Sequence, residues 1–378
     1  MATLQSSGLG PSGIVPGPLA QLPWRIIGLV VALGLFDQLI LYSAAGGDFH
    51  KWAYPQGLRF LIFLTVAILL SRVPENWWAF GAFPGYAGLV LALIGVELLG
   101  KVAGGSQRWI NLGFMQFQPS ELMKPMIVLT LARFYEILPV AEIRKFSAIW
   151  PAAVLIGVPG ALVMLQPDLG TALMICIGGA TVMFLAGIPV RLFLGGALLV
   201  SIAAPLAVNF VLHDYQRNRV LIFLDPESDP LGTGYHISQS KIAIGSGGVF
   251  GKGFLQGTQS HLDYLPEGQT DFALATMMEE WGLMGGFFLI IAFGLLIRWG
   301  IGVSMRAQSR FGRLTAAGLS ATIFYYCAIN MAMVMGLAPV VGVPLPLISF
   351  GGTAVMTFMI CFGILLSIDR QSRRVQRW

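Results

Sequence analysis

Apolar runs of membrane-spanning length recur along most of the chain, separated by short polar joints. A bilayer-crossing helix takes about 20 apolar residues. Ten stretches meet that requirement: 24–44, 53–72, 77–99, 119–138, 147–165, 168–188, 191–212, 272–298, 312–336 and 350–368. Two of the joints are tight turns, at residues 166–168 and 187–189. One polar interruption is long, residues 213–271, and it is too rich in apolar residues for a disordered linker. Within it, 235–244 mixes polar and apolar positions in the manner of an interfacial amphipathic helix. The pattern predicts an all-α, polytopic membrane bundle of ten transmembrane helices occupying 23–369, with the 213–271 loop between helices 7 and 8. Flanking it are a disordered tail, 1–22, and a basic tail, 370–378. The first tail is rich in Gly, Pro and Ser and lacks the basic start of a cleaved signal peptide.

Composition sharpens this. The 378 residues are 56% hydrophobic and 11% charged, against roughly 25% charged in soluble domains. A soluble fold of this length could not hide so much apolar surface. The net charge of +5 reflects which joints are basic, and no nucleic-acid surface is implied. The three cysteines, Cys176, Cys327 and Cys361, lie inside apolar runs and read as small buried hydrophobes.

Lysine and arginine set the orientation. With the N-terminus inside, the inner flanks carry Arg25, Arg72, Arg133, Arg144, Lys145, Arg191, Arg298, Arg306, Arg310, Arg313 and the arginines after 369. The short outer joints carry only Lys51, Lys101 and Arg108. Both termini are therefore expected in the cytoplasm, and the 213–271 loop outside. On that topology Glu97, Arg108, Glu121, Lys124, Asp168, Asp271 and Ser349 share the outer face. Ionisable residues at membrane depth are costly and mark function by default.

Each polar cluster has a structural and a functional reading. Pro119 and Ser120 suit a helix start, with Ser120 able to cap. Glu121 and Lys124, at i and i+3, either neutralise each other or line a polar cavity with Lys124 and Arg108 facing a phosphate. Asp168 either caps the following helix or helps hold a divalent cation such as Mg or Mn. The glycine-rich run 245–257 lacks the spacing of a nucleotide loop and lies outside the cytoplasm, so no nucleotide is expected. Asp271 stands at the mouth of an apolar helix. A continuous helix from there would place Glu279 roughly 12 Å deeper and Glu280 on the opposite face, deep enough to need partners. The three prolines and several glycines of 329–354 make an irregular backbone, tolerated at membrane depth only beside protein or a wet cavity.

The ordered strings GGSQRWINLG, QPSELMK, QPDLGTA, DPLGTGYHISQSKIAIGSGG, GKGFLQGTQSHLDYLPEGQTDF, EEWG and GLAPVVGVPLPLISFGG resemble those of the SEDS family (shape, elongation, division and sporulation) from about residue 24 to 368. The GKGFLQGTQSHL stretch is more similar to the elongation branch than to the division branch. The resemblance implies a peptidoglycan glycosyltransferase that polymerises lipid II in the bacterial cytoplasmic membrane. It also implies a class B penicillin-binding protein as transpeptidase partner. The family's catalytic aspartate, in its TDF motif, matches Asp271; Arg108, Glu121, Lys124 and Asp168 match its cavity residues, with Ser349 beside them. Gln269 stands where the family usually has His, so no imidazole is assigned there, and Thr353 replaces the usual Ser. A flippase for the lipid-linked precursor and a scaffold for the transpeptidase are the rival readings of the same polar face.

Overall fold

The computed structural model describes residues 22–99, 101–103, 106–111, 116–210, 232–262, 264–265 and 267–375, with Arg217, Ile222, Asp225 and Asp229. The expected tail 1–22 lies outside them apart from Leu22, as do most of 213–231 and the chain end from 376.

Helices carry the fold in the order that the apolar runs predict. They are α1 (Trp24–Ala44), α2 (Tyr54–Leu70, entered through a π-helical turn Phe49–Ala53), α3 (Glu75–Leu99), α4 (Pro119–Ile137), α5 (Phe146–Leu165), α6 (Leu169–Ala186), α7 (Val190–Phe210), α8 (Thr233–Gly247), α9 (Thr258–His261), α10 (Ala273–Arg306), α11 (Arg310–Val334) and α12 (Gly352–Val375). Eight helical spans among the described residues are long and apolar enough to cross a membrane. The other two expected spans fall on α4 and α7. On α4 the polar residues Glu121, Lys124, Arg133 and Glu136 lower the hydropathy, yet the helix is deeply enclosed by α3, α6 and α11. Its burial is set by neighbours rather than by its own composition. The chain is a multi-pass membrane protein.

Three features depart from the sequence pattern. A small antiparallel sheet, β1 (Lys101–Ala103), β2 (Ser106–Asn111) and β3 (Gln116–Phe117), joins α3 to α4, so the fold is helical with one strand meander. Ser120 does not cap α4; the N-cap position is Gln118, and the Ser120 hydroxyl has no partner among the described residues. Cys176 is exposed on the outer surface of α6, while Cys327 and Cys361 are buried. An exposed cysteine there meets hydrocarbon rather than water.

The largest departure is in α10. Gly282 has φ 61° and ψ −157°, which breaks the helix into limbs 273–281 and 283–306. Only glycine adopts that backbone readily. In an unbroken helix the N–H groups of Leu283 and Met284 would bond to the carbonyls of Glu279 and Glu280. Here residues 248–253 intervene and take all four groups. Lys252 N donates to Glu279 O and Gly253 N to Glu280 O, both at 3.0 Å; Leu283 N donates to Gly248 O at 3.0 Å and Met284 N to Val249 O at 3.1 Å. These four groups are therefore all paired across the break. The glycine run 245–257 is explained by this contact: a Cβ on Gly251 would collide with the Glu280 carbonyl.

Candidate active site

The polar wall begins where α4 starts. Pro119 sits in its first turn, where a missing N–H is harmless. Glu121 in the first turn and Lys124 in the next share one face, and Lys124 Nζ lies 2.6 Å from Glu121 Oε1. The pair is closed by a residue from a distant helix. Tyr326 on α11 accepts from Lys124 Nζ at 2.9 Å and donates to Glu121 Oε2 at 2.7 Å. Lys124 is 1% exposed, Tyr326 2% and Glu121 5%, so the triad is sealed. Its charge is neutralised inside the protein, and the Lys124 ammonium is not directed at an incoming phosphate.

Arg108 and Asp168 organise the turn before α6. Asp168 caps α6 by accepting from Thr171 N at 3.1 Å, and its other oxygen accepts from Gln118 Nε2 at 3.0 Å. Arg108, on β2, donates from Nε to Gln166 O at 2.7 Å and from Nη2 to Pro167 O. Gln166 in turn donates to Leu93 O on α3 at 3.0 Å. The guanidinium has five N–H donors in a fixed fork, so part of it remains available beyond this clamp.

Asp271 is held from its backbone. Asn330, buried on α11, donates to the carbonyl of Asp271 at 3.0 Å and to that of Val343 at 2.8 Å. Two residues before Asp271, the carbonyl of Gln269 accepts from Phe350 N at 2.7 Å. The irregular segment 337–351 is thus stapled to the TDF motif at two points. Asp271 is itself half-buried, and a Cβ built on Gly342 would stand 3.6 Å from its Oδ2. The other side of this segment meets α6, where a Cβ on Gly170 would collide with the Val341 carbonyl. Val343, Met174 and Tyr326 pack together. One short stretch, 341–343, therefore connects Asp271 to the helix capped by Asp168 and to the Glu121–Lys124–Tyr326 triad. Ser349 lies deeper, 2% exposed. Its hydroxyl accepts from Leu345 N at 2.9 Å and its carbonyl from Gln56 Nε2 at 3.0 Å, so it shapes the segment.

Glu279 and Glu280 do find partners, mostly from the loop and, for Glu280, also from the end of α1. Glu279 Oε1 accepts from Lys252 Nζ at 2.6 Å, Thr258 Oγ1 at 3.1 Å and Gln259 N at 3.0 Å. Glu280 accepts from Ser43 at the end of α1, and His261 Nε2 is 3.5 Å from its Oε1. The expected continuous helix with two deep carboxylates is corrected by the break at Gly282. Residues 273–281 belong with the loop, and the loop closes over them. A ring stack of His236 on Phe272, 5.9 Å between centroids, fixes α8 beside the TDF motif. The helix expected over 235–244 is α8, and it packs against α10 and α11.

The outer polar residues are not all recruited. Glu97 is exposed on α3. Among the described residues no group of three or more His, Cys, Asp or Glu is placed to hold a metal ion. Asp168 has both oxygens engaged by protein donors. Among the described residues, protein donors alone do not complete a divalent site. Two site residues were missed in the sequence, Tyr326 and Asn330. Asn330 had a readable signal, a carboxamide inside an apolar run. Tyr326 had none, since a tyrosine in a membrane helix is ordinary.

The model of the FtsW/RodA/SpoVE family, described as "Cell cycle protein", matches residues 20–374. The chain belongs to this family, the SEDS proteins. Peptidoglycan glycosyltransferase MrdB of Escherichia coli K12 is 42% identical over 349 residues, 92% of this chain and 94% of the relative. MrdB of Helicobacter pylori J99 is 35% identical over 340 residues, 89% and 87% of the two chains. Among solved structures, a chain of a peptidoglycan synthase complex that coordinates polymerization and crosslinking superposes with TM-score 0.81 at 30% identity, covering 93% of this SEDS chain and 98% of that one. Rod shape determining protein RodA of Thermus thermophilus superposes with TM-score 0.70 at 27% identity, covering 93% and 97%.

Proposed function

We propose that this SEDS protein is a peptidoglycan glycosyltransferase that polymerises lipid II during cell elongation, with Asp271 as the general base. What supports the reading most is the stapling of the TDF motif. Asn330 and Phe350 hold the backbone around Asp271 against the segment 337–351, beside a wall whose own charges are internally neutralised. A carboxylate whose backbone is fixed at two points is positioned to accept a proton from a bound hydroxyl.

In this mechanism the sugar hydroxyl of the acceptor gives its proton to Asp271 and attacks the anomeric carbon of the donor. The undecaprenyl pyrophosphate leaves. General-base assistance is worth about 10²–10⁴-fold. Arg108 is half-buried, and its remaining N–H groups are cationic donors suited to the leaving group. Glu121, Lys124, Asp168 and Ser349 act through what they hold: the triad fixes α4 against α11, Asp168 fixes α6, and Ser349 shapes 345–349. A cation, if substrate oxygens complete its shell, belongs at Asp271. The bundle has ten spans, α4 and α7 included, with both termini cytoplasmic and α8–α9 outside. The partner is a class B penicillin-binding protein, which supplies the crosslinking activity.

The test is gel-resolved glycan made from labelled lipid II by the purified protein with its transpeptidase partner. Asp271→Asn keeps the size and loses the basicity. It should insert and hold its partner while losing nearly all polymer. Asp271→Glu displaces the carboxylate by about 1 Å, which can cost about 10²-fold. Normal polymer from Asp271→Asn would remove the base and favour a flippase or scaffold.

A further inference from the structure

At the end of the bundle opposite to Asp271 the surface has a two-part cavity that the polymerisation reading does not use. The first part is a polar crevice of about 200 Å³, lined by Ser71, Arg72, Pro74, Ser367, Arg370 and Gln371. It lies between the α2–α3 turn and the end of α12. The second part is an apolar groove of about 430 Å³, whose lining includes Val73, Trp77, Gly81, Met126, Leu129 and Ile364. Val73 lines both, so the two adjoin at that residue. The groove runs between α3 and α12 with α4 as its floor.

The crevice is electropositive. Arg72 is exposed, and Arg370 reaches across with Nη1 3.3 Å from Ser71 O. Asp369 lies between Arg306 Nη2 and Arg373 Nε, each at 2.9 Å, and Glu75 accepts from Ser309. The junction is lined by two indoles, of which Trp78 donates to Ser367 Oγ at 3.3 Å and Trp77 is 66% exposed. Indoles favour the boundary between hydrocarbon and headgroups.

We propose that this cavity binds an anionic phospholipid, with its phosphate between Arg72 and Arg370 and an acyl chain along the groove. The chemistry selects the class. An occupant must be hydrocarbon for the length of the groove and anionic at one end. A peptide would bury backbone N–H and C=O groups against apolar walls, where each unsatisfied group costs several kcal/mol. Basic pockets between membrane helices at the cytoplasmic surface suit lipid phosphates. The lipid-linked sugar substrate would present its headgroup at the other face.

The groove also supplies its own test. A Cβ added at Gly81 meets no atom within 4 Å, and Gly81 lines the groove, so Gly81→Leu places bulk in it. The full chain is released from nanodiscs of equal phosphatidylglycerol and phosphatidylcholine into native mass spectrometry, and the retained lipids are counted. Wild type should retain phosphatidylglycerol in preference. Arg72→Gln with Arg370→Gln should lower that retention by roughly tenfold or more, whereas Arg72→Lys with Arg370→Lys should keep most of it. Gly81→Leu should remove the bound lipid with both arginines intact, leaving the lipid-free melting temperature unchanged. Equal retention of the two lipids by wild type, or phosphatidylglycerol retention unmoved by Gly81→Leu, would overturn the proposal. Loss of glycan polymerisation plays no part in the readout, so this site and the Asp271 reading stand or fall separately.

Discussion

The Asn330 carboxamide donates to the backbone carbonyl of Asp271 over 3.0 Å. The bond orients a catalytic candidate through its main chain, from a helix that begins at the other membrane face. Because the same nitrogen also serves Val343 O at 2.8 Å, it sets the distance between the TDF motif and the 337–351 segment.

Asn330→Ala leaves two buried carbonyls without a donor, at about 1–3 kcal/mol each. The melting temperature should fall. Polymerisation should fall further than stability explains, by about 10²-fold if Asp271 shifts by about 1 Å. Unchanged turnover in a variant that melts lower would show that the bond is structural only.

The Glu121–Lys124–Tyr326 triad should behave as one unit. Removing one member of a buried pair leaves an uncompensated charge and typically costs about 3–5 kcal/mol. Lys124→Met and Glu121→Gln should each destabilise by that order, and the double variant by less than the sum. Tyr326→Phe removes two hydrogen bonds and keeps the shape, so about 1–3 kcal/mol is expected. A thermal double-mutant cycle in detergent measures the coupling, and additive losses would contradict it.

Gly282→Ala should be the most damaging single change in α10. The backbone conformation there costs a non-glycine residue about 1–3 kcal/mol. The added Cβ would also stand 2.7 Å from Val249 O and against Gly251 N. Hydrogen exchange at 248–262 should rise sharply. Protection equal to wild type would mean that the loop does not depend on the break.

Glu279→Gln removes the charge that Lys252, Thr258 and Gln259 share. Protease cleavage within 252–262 should accelerate, and Lys252→Met should produce the same pattern. Cleavage unchanged in both would uncouple the loop from the limb.

Topology is checked by labelling. In a cysteine-free background, Gln256→Cys should react with an impermeant maleimide from outside, and Gln308→Cys only after permeabilisation. Both residues are exposed. Reaction of Gln308→Cys in intact cells would invert the orientation.

Hydropathy located the spans well, because burial in lipid is written in composition alone. The expected 147–165 and the observed Phe146–Leu165 differ by one residue. It was blind to the break in α10, since a glycine in an apolar run is ordinary and ψ is set by residues 30 positions earlier. The polar wall was partly readable. Glu121 and Lys124 are i,i+3 neighbours and announce themselves, whereas their third partner is 202 residues from Lys124. Asp168 as a cap was readable from Gln-Pro-Asp before an apolar helix, and the structure bears that reading out. Arg108 was expected to face a ligand. Its grip on the carbonyls of 166 and 167 could not be inferred, because carbonyl acceptors carry no sequence signature.

The exchange of bonds at Gly282 gives α10 a second way to be whole. The four groups that 248–253 occupies sit at helical spacing from each other, 279 to 283 and 280 to 284. Withdrawing that strand would let them pair among themselves with none left bare. The same withdrawal would strip the Gly248 and Val249 carbonyls and the Lys252 and Gly253 N–H groups of these partners, so the bent form of α10, which starts two residues after Asp271, is held by the segment it grips.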